Sequence, residues 1–266
     1  MKKINYNTGQ KLRTNILKLS NLARSSHIGS CLSIVEILTV LFNNILKNYS
    51  VKKNSLGDRF FLSKGHGCLA LYCILHEKKF ISKKILFSYG QNNSLLMSHV
   101  SHDVPGVIFS TGSLGHGLPV AVGSALSAKI KKSNRKTYVL VSDGELNEGT
   151  TWEALMFASH HKLNNLCLIV DYNKMQSLTT VSNTLKLEPL KKKIESFGCK
   201  AISVNGHNYF QLKKAFKFNE RKKPKVIIAN TVKGKGVSFM ENNIAWHYKF
   251  PNKRELMQAL KEIDSA

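Results

Sequence analysis

Apolar residues Leu12, Ile16, Leu19 and Leu22 recur at three- and four-residue intervals, which predicts an amphipathic helix over about 8–24. Ser33 stands three residues before Glu36, the spacing of a capping box, and predicts a second helix opening there and running to Leu46. Phe60-Phe61-Leu62 reads as a short buried strand, followed by Ser63-Lys64-Gly65-His66-Gly67 and another helix. Residues 115–130 are rich in Gly, Ala, Ser and Val, which suits a helix packed closely on a neighbour. The pattern then becomes regular. Apolar strands over 137–142, 165–171, 200–204 and 225–231 alternate with helices over 148–160, 187–197 and 208–218, and a polar helix follows over about 252–263. Such alternation predicts an α/β fold, a mainly parallel sheet with helices on both faces. In such sheets ligands sit beyond the carboxyl ends of the strands.

A chain of 266 residues with 42% hydrophobic side chains can bury a large core, and is expected to form one domain over 1–266. The 40 basic against 16 acidic residues give a formal net charge of +24. Most of that charge is lysine scattered along the whole chain. Its densest runs, Lys131-Lys132, Lys191-Lys192-Lys193 and Arg221-Lys222-Lys223, have no aromatic residues among them, so they read as solvated faces and no nucleic-acid partner is expected. Apolar runs such as 166–170 and 226–229 are too short to cross a bilayer, and no membrane partner is expected. The basic start, Met1-Lys2-Lys3, meets no apolar stretch, which argues against a secretory leader. Cys31, Cys68, Cys73, Cys167 and Cys199 form no metal-type pair and read as reduced thiols of a cytoplasmic protein.

The chemistry concentrates where strands end. The strand at 138–141 runs into Ser142-Asp143-Gly144-Glu145-Leu146-Asn147-Glu148-Gly149, and the next into Asp171-Tyr172-Asn173-Lys174-Met175-Gln176. Asp143 and Asn173, about thirty residues apart on successive strands, would present a carboxylate and an amide oxygen together. Those are hard ligands for a divalent cation, and Mg²⁺ commonly completes such a set with phosphate oxygens. Either half alone would pass as a turn or a cap.

Asp143-Gly144-Glu145 followed by Asn173 resembles the thiamin diphosphate signature, with Ser142 in place of its first glycine. Residues 148–154, 171–176 and Ser110-Thr111-Gly112-Ser113-Leu114-Gly115-His116-Gly117 narrow the resemblance to transketolases, over about residues 10–250. It implies a thiamin diphosphate-binding domain of the diphosphate-holding type. Asp143, Asn173 and the carbonyl of Met175 would bind Mg²⁺. Gly144, Gly112 and Leu114 would line the cofactor, and Glu148 would couple two active sites across a subunit boundary.

Five histidines occupy loops: His27, His66, His99, His102 and His247. By resemblance His27, His66 and His247 surround the cofactor phosphates and the reacting carbon, with Ile28 replacing the family's proline. His99 is preferred to His102 as the next member, and His116 stands where many relatives carry glutamine. His76, His160 and His161 lie on helices and read as idle, and His207 as a solvated turn residue.

The activity implied is transfer of a two-carbon ketol unit from a ketose phosphate to an aldose phosphate. The alternatives are a 1-deoxyxylulose-5-phosphate synthase-like enzyme, a specialised sugar-biosynthetic ketol transferase or, from another class, a basic nucleic-acid-binding module. The family's catalytic glutamate and pyrimidine pocket belong to a second α/β domain, and no second alternation of strands and helices follows His247. A partner is therefore expected: a pyrimidine-binding transketolase subunit, in a heterotetramer of two of each chain.

Overall fold

The computed structural model describes residues 6–52 and 55–265, with side chains from Asn7 onward; the basic start at residues 1–5 lies outside them. Five strands form one parallel sheet: β1 (Arg59–Leu62), β2 (Thr137–Ser142), β3 (Leu166–Tyr172), β4 (Lys200–Asn205) and β5 (Lys225–Asn230), in the order β1-β2-β3-β5-β4. Every residue of β2 and β3 is buried. Both faces of these central strands are covered, so Tyr138–Val141 and Leu166–Val170 are continuous apolar runs rather than alternating ones.

The helices are α1 (Tyr6–Ala23), α2 (Ile28–Leu32), α3 (Val35–Val40), α4 (Cys68–Glu77), α5 (Lys83–Leu86), α6 (Gly117–Ile130), α7 (Gly149–His160), α8 (Val181–Thr184), α9 (Leu190–Ser196), α10 (Tyr209–Lys217) and α11 (Lys253–Asp264). Register sorts the core into two layers. Leu140, Ile169 and Ile227 lie side by side and pack with Leu12 and Ile16 of α1, Leu38 of α3 and Leu212 of α10. Val141, Val170 and Ile228 point the other way, onto Leu118 of α6, Leu155 of α7 and Ile194 of α9. The connections from β1 through to β4 all step in one direction and place α6, α7 and α9 on one face. The step from β4 back to β5 reverses, and a right-handed crossover then requires α10 on the other face.

Three expectations are corrected. Ser33 does not open a helix: it ends α2, and its hydroxyl donates to Ser30 O and Asp171 Oδ2. Ile34 precedes α3 without a side-chain cap, and Glu36 turns instead to Arg13 and His207. A real capping box closes elsewhere, where Asn252 and Glu255 exchange hydrogen bonds at the start of α11. Secondly, residues Ile28–Ile45 are long and apolar enough to cross a membrane by composition, but 83% of the stretch is buried inside the protein. It is a core segment, broken between α2 and α3 and widened to a π-turn at Leu41–Ile45. Thirdly, Glu148 stands just before α7 rather than inside it.

Candidate active site

Four strand ends deliver the polar loops. β1 leads to Lys64 and His66, β2 to Asp143 and Gly144, β3 to Asn173 and Met175, and β5 to the loop carrying Lys233. They surround a cavity of about 130 Å³ whose walls also include Leu114 and His247. Gly65 lets the first loop close on the Thr111 segment, since a Cβ there would lie 2.3 Å from Thr111 O. Glu145 ties the loops together from beneath: its carboxylate accepts from Ser63 Oγ, from Gly115 N at 3.0 Å and from Ser142 N. A larger cavity of about 500 Å³ opens at the amino edge of the sheet, among Asn134, Lys136, Asn165 and Lys225, and contains no histidine.

Asp143 is almost fully buried. Its Oδ1 accepts from Gly144 N at 2.8 Å and its Oδ2 from Lys174 N at 2.6 Å. Burial, then the charge of Asp171, push its carboxyl up to about 7. The site is therefore short of positive charge at that carboxylate, and a cation bound there would hold it ionised. Asn173 Nδ2 donates to Asp171 Oδ2 at 3.1 Å, which fixes the amide so that Oδ1 turns to Met175 N at 3.0 Å with a lone pair to spare. No three His, Cys, Asp or Glu side chains cluster as a metal site among the described residues. The cavity wall offers oxygen of another kind, the Asp143 carboxylate and the Asn173 amide with Met175 beside them, a chemistry that would fit Mg²⁺. Gly144 adds a second sign of fit. A Cβ there would touch only the Gln176 side chain, at 3.6 Å, so no packing contact of the protein requires glycine at this position.

Asp171 is the counterweight. Burial alone would push its carboxyl up, but Lys64 Nζ at 2.5 Å, with Ser33 and Thr231 hydroxyl donors, holds it below the usual range. Lys233 is also buried, with Nζ 2.8 Å from Gln176 O and 3.0 Å from His247 Nδ1. Burial and the neighbouring Lys64 lower it to about 8. Lys64, Asp171, Glu145 and Lys233 carry no expected role from sequence, although all four lie inside or beside the motifs.

The structure brings four of the expected histidines together. The ring of His27 lies 5.4 Å from that of His66, 5.7 Å from His99 and 4.9 Å from His247, and His66 lies 5.9 Å from His247. His27 sits at φ 69°, in the left-handed region, just before α2; its N–H donates to His247 O at 2.8 Å. An L-residue there is strained, and such strain is typical of sites where a side chain must be aimed. Burial lowers all four imidazoles, His27 to about 4 and His247 to about 3; His99, Lys233 and Lys64 add to it for His27, Lys233, His27 and Lys64 for His247, and Lys64 with the other three histidines for His66. At neutral pH the cluster is uncharged.

His102 points away, bonding Ser110 Oγ at 2.7 Å on the surface. Gly112 lies beside the His99 ring, while Glu148 is exposed next to Gly115, outside the cavity. His160 is exposed at the end of α7, and His116 bonds Leu114 O. His207, expected in solvent, is instead paired with Glu36. All five cysteines are free and buried.

Residues 6–263 match the family described as "Transketolase, thiamine diphosphate binding domain". The chain is 42% identical over 256 residues to one of the subunits of the apulose-4-phosphate transketolase of Actinobacillus succinogenes, covering 95% of this chain and 93% of that one. With the protein of the same name from Phocaeicola vulgatus it shares 38% over 257 residues, covering 96% and 92%. The fold is similar to that of transketolase from Campylobacter jejuni, with a TM-score of 0.90 and 30% identity over 98% of this chain but only 43% of that one.

Proposed function

This chain belongs to the transketolase family through its thiamine diphosphate-binding domain, and we propose that it is the diphosphate-holding subunit of a two-chain, Mg²⁺-dependent transketolase. The reaction proposed moves a two-carbon ketol unit from a ketose phosphate to an aldose phosphate. The observation that carries this reading is the cluster of four imidazoles, two of which, His66 and His247, share one cavity wall with Asp143 and Asn173.

Asp143, Asn173 and the Met175 carbonyl would hold Mg²⁺, and Gly144 would let the diphosphate approach the main chain. Leu114, in the cavity wall, and Gly112, beside the His99 ring, would line the cofactor. Bound thiamin diphosphate supplies a nucleophilic thiazolium carbon and the electron sink for breaking a carbon–carbon bond. Lys233, buried with its ammonium beside His247, offers the diphosphate the positive charge that the lowered histidines do not. The neutral rings of His27, His66, His99 and His247 can both donate to and accept from sugar hydroxyls and can pass a proton at the reacting carbon.

The two-chain reading is supported by relatives that are themselves named as single subunits of a transketolase and that match this chain over nearly their whole length. The face of α6 and α7 leaves Val120, Met156 and Phe157 exposed, an apolar surface suited to another chain. Glu148, exposed just before α7, would reach a neighbouring site across that boundary. A pyrimidine-binding chain would complete the enzyme, two copies of each. The test is an assay of this chain, of its partner and of the mixture, with unbranched ketose phosphates and with apulose 4-phosphate, the sugar in the relatives' names. Ketol transfer is expected only from the mixture. Turnover by this chain alone would overturn the two-chain reading, and an inert mixture the proposed reaction.

A further inference from the structure

Glu36 is the one charged residue of helix α3 and is buried; burial alone would push its carboxyl up, but Arg13 and His207 hold it below the usual range. Its Oε1 lies 2.6 Å from Arg13 Nη2, on α1. Its Oε2 lies 2.9 Å from Nδ1 of His207, in the turn between β4 and α10. Because Nδ1 donates to the carboxylate, the other ring nitrogen is free to accept, and it takes the N–H of Val232 at 2.8 Å. Arg13 also holds the loop, its Nε donating to Lys235 O at 3.1 Å. A Cβ on Gly236 would lie 2.7 Å from that Nε, so the arginine is laid directly on the loop.

One carboxylate thus anchors two side chains, and the two grip main-chain groups on either side of Lys233 and Gly234. Three elements far apart in sequence meet at this point, and each contributes one polar group to it. We propose that Glu36, Arg13 and His207 are positioning residues for Lys233. They fix the Val232–Lys235 main chain so that the Lys233 ammonium reaches Gln176 O and His247 Nδ1 at the cavity wall. The consequence for the cofactor rests on the reading of that cavity as the thiamin diphosphate site; the consequence for the loop does not.

The test separates the two. Hydrogen exchange on the isolated chain reads the loop, comparing His207→Phe and Glu36→Gln with the parent. Losing one hydrogen-bonded anchor is expected to speed exchange over 231–237 about tenfold, with β2 and β3 unchanged. His207→Gln, whose carboxamide oxygen can take the Val232 N–H, is expected to restore part of the protection, and it covers the case in which Glu36→Gln does not fold. In the two-chain enzyme, His207→Phe is expected to raise the KM for thiamin diphosphate about tenfold while kcat changes little. Unchanged exchange over 231–237 together with a lower melting temperature would overturn the proposal, leaving the triad as fold support only. Faster loop exchange with an unchanged KM would uphold the positioning role and count against the cofactor reading.

Discussion

Lys64 Nζ lies 2.5 Å from Asp171 Oδ2, and neither side chain has any exposure to solvent. Asp171 in turn accepts from Ser33 and Asn173, so this pair supports the segment that carries the proposed metal donor. Removing the lysine leaves a buried carboxylate without its cation. Lys64→Met is expected to cost about 3–5 kcal/mol of stability, and Lys64→Met combined with Asp171→Asn is expected to recover much of it. Urea unfolding of the two variants checks this. A single substitution costing under about 1 kcal/mol would show that Ser33, Thr231 and Asn173 suffice to hold Asp171.

The histidine cluster predicts sensitivity to acid. His27 and His247 are lowered from 6.5 to about 4 and about 3, chiefly by burial. Between those values and 6.5 the unfolded chain binds protons that the folded chain does not, so stability falls as pH drops below 6.5. Asp143, raised to about 7, acts in the opposite sense and favours the folded, protonated form in the same window. The histidine contribution is therefore read by difference. His27→Gln with His247→Gln is expected to flatten the decline in melting temperature between about pH 6.5 and 4.5, and equal slopes for variant and parent would contradict the buried, neutral assignment.

The central sheet is legible in the sequence because β2 and β3 are apolar on both faces, and a run such as Tyr138-Val139-Leu140-Val141 has no other use. Asp143 and Asn173 are legible because polar residues and glycine at two successive strand ends have no packing role. Glu36 is not. Its spacing from Ser33 is that of a helix cap, and only the tertiary approach of Arg13 and His207 redirects it. Lys64 and Lys233 are obscured by composition: among 40 basic residues, two buried ammonium groups look like the solvated ones. His207 reads as a solvent-facing turn residue because its partners lie on α3 and in the loop after β5, both remote in sequence.

The sorting of histidines into clustered and idle sets can be tested directly in the two-chain enzyme. His27 and His247 stand with His66 in the cluster, whereas His160 is exposed and its ring touches only that of His161 among the described aromatic contacts. His27→Ala and His247→Ala are each expected to lower kcat/KM by about 10²–10⁴. His160→Ala is expected to leave it unchanged. Comparable losses at His160 and His27 in steady-state assays would mean that ring clustering does not mark the substrate-facing set.

Gly144 separates the fold from the ligand more cleanly than any of the charged residues. Its N–H is already satisfied by Asp143 Oδ1, and an added Cβ would meet only the Gln176 side chain, at ordinary contact distance. Gly144→Ala is therefore expected to shift the stability of the isolated chain by no more than about 0.5 kcal/mol. If the diphosphate approaches the main chain there, the same methyl group intrudes on it, and overpacking of that kind costs about 1–3 kcal/mol, or roughly ten- to hundredfold in affinity. Gly149→Ala is the control: a Cβ there meets nothing within 4 Å, and the residue lies outside the cavity. Calorimetry of thiamin diphosphate and Mg²⁺ binding to the two-chain enzyme is expected to show a loss only for Gly144→Ala. Equal affinity in both variants would place the diphosphate somewhere other than the turn after β2.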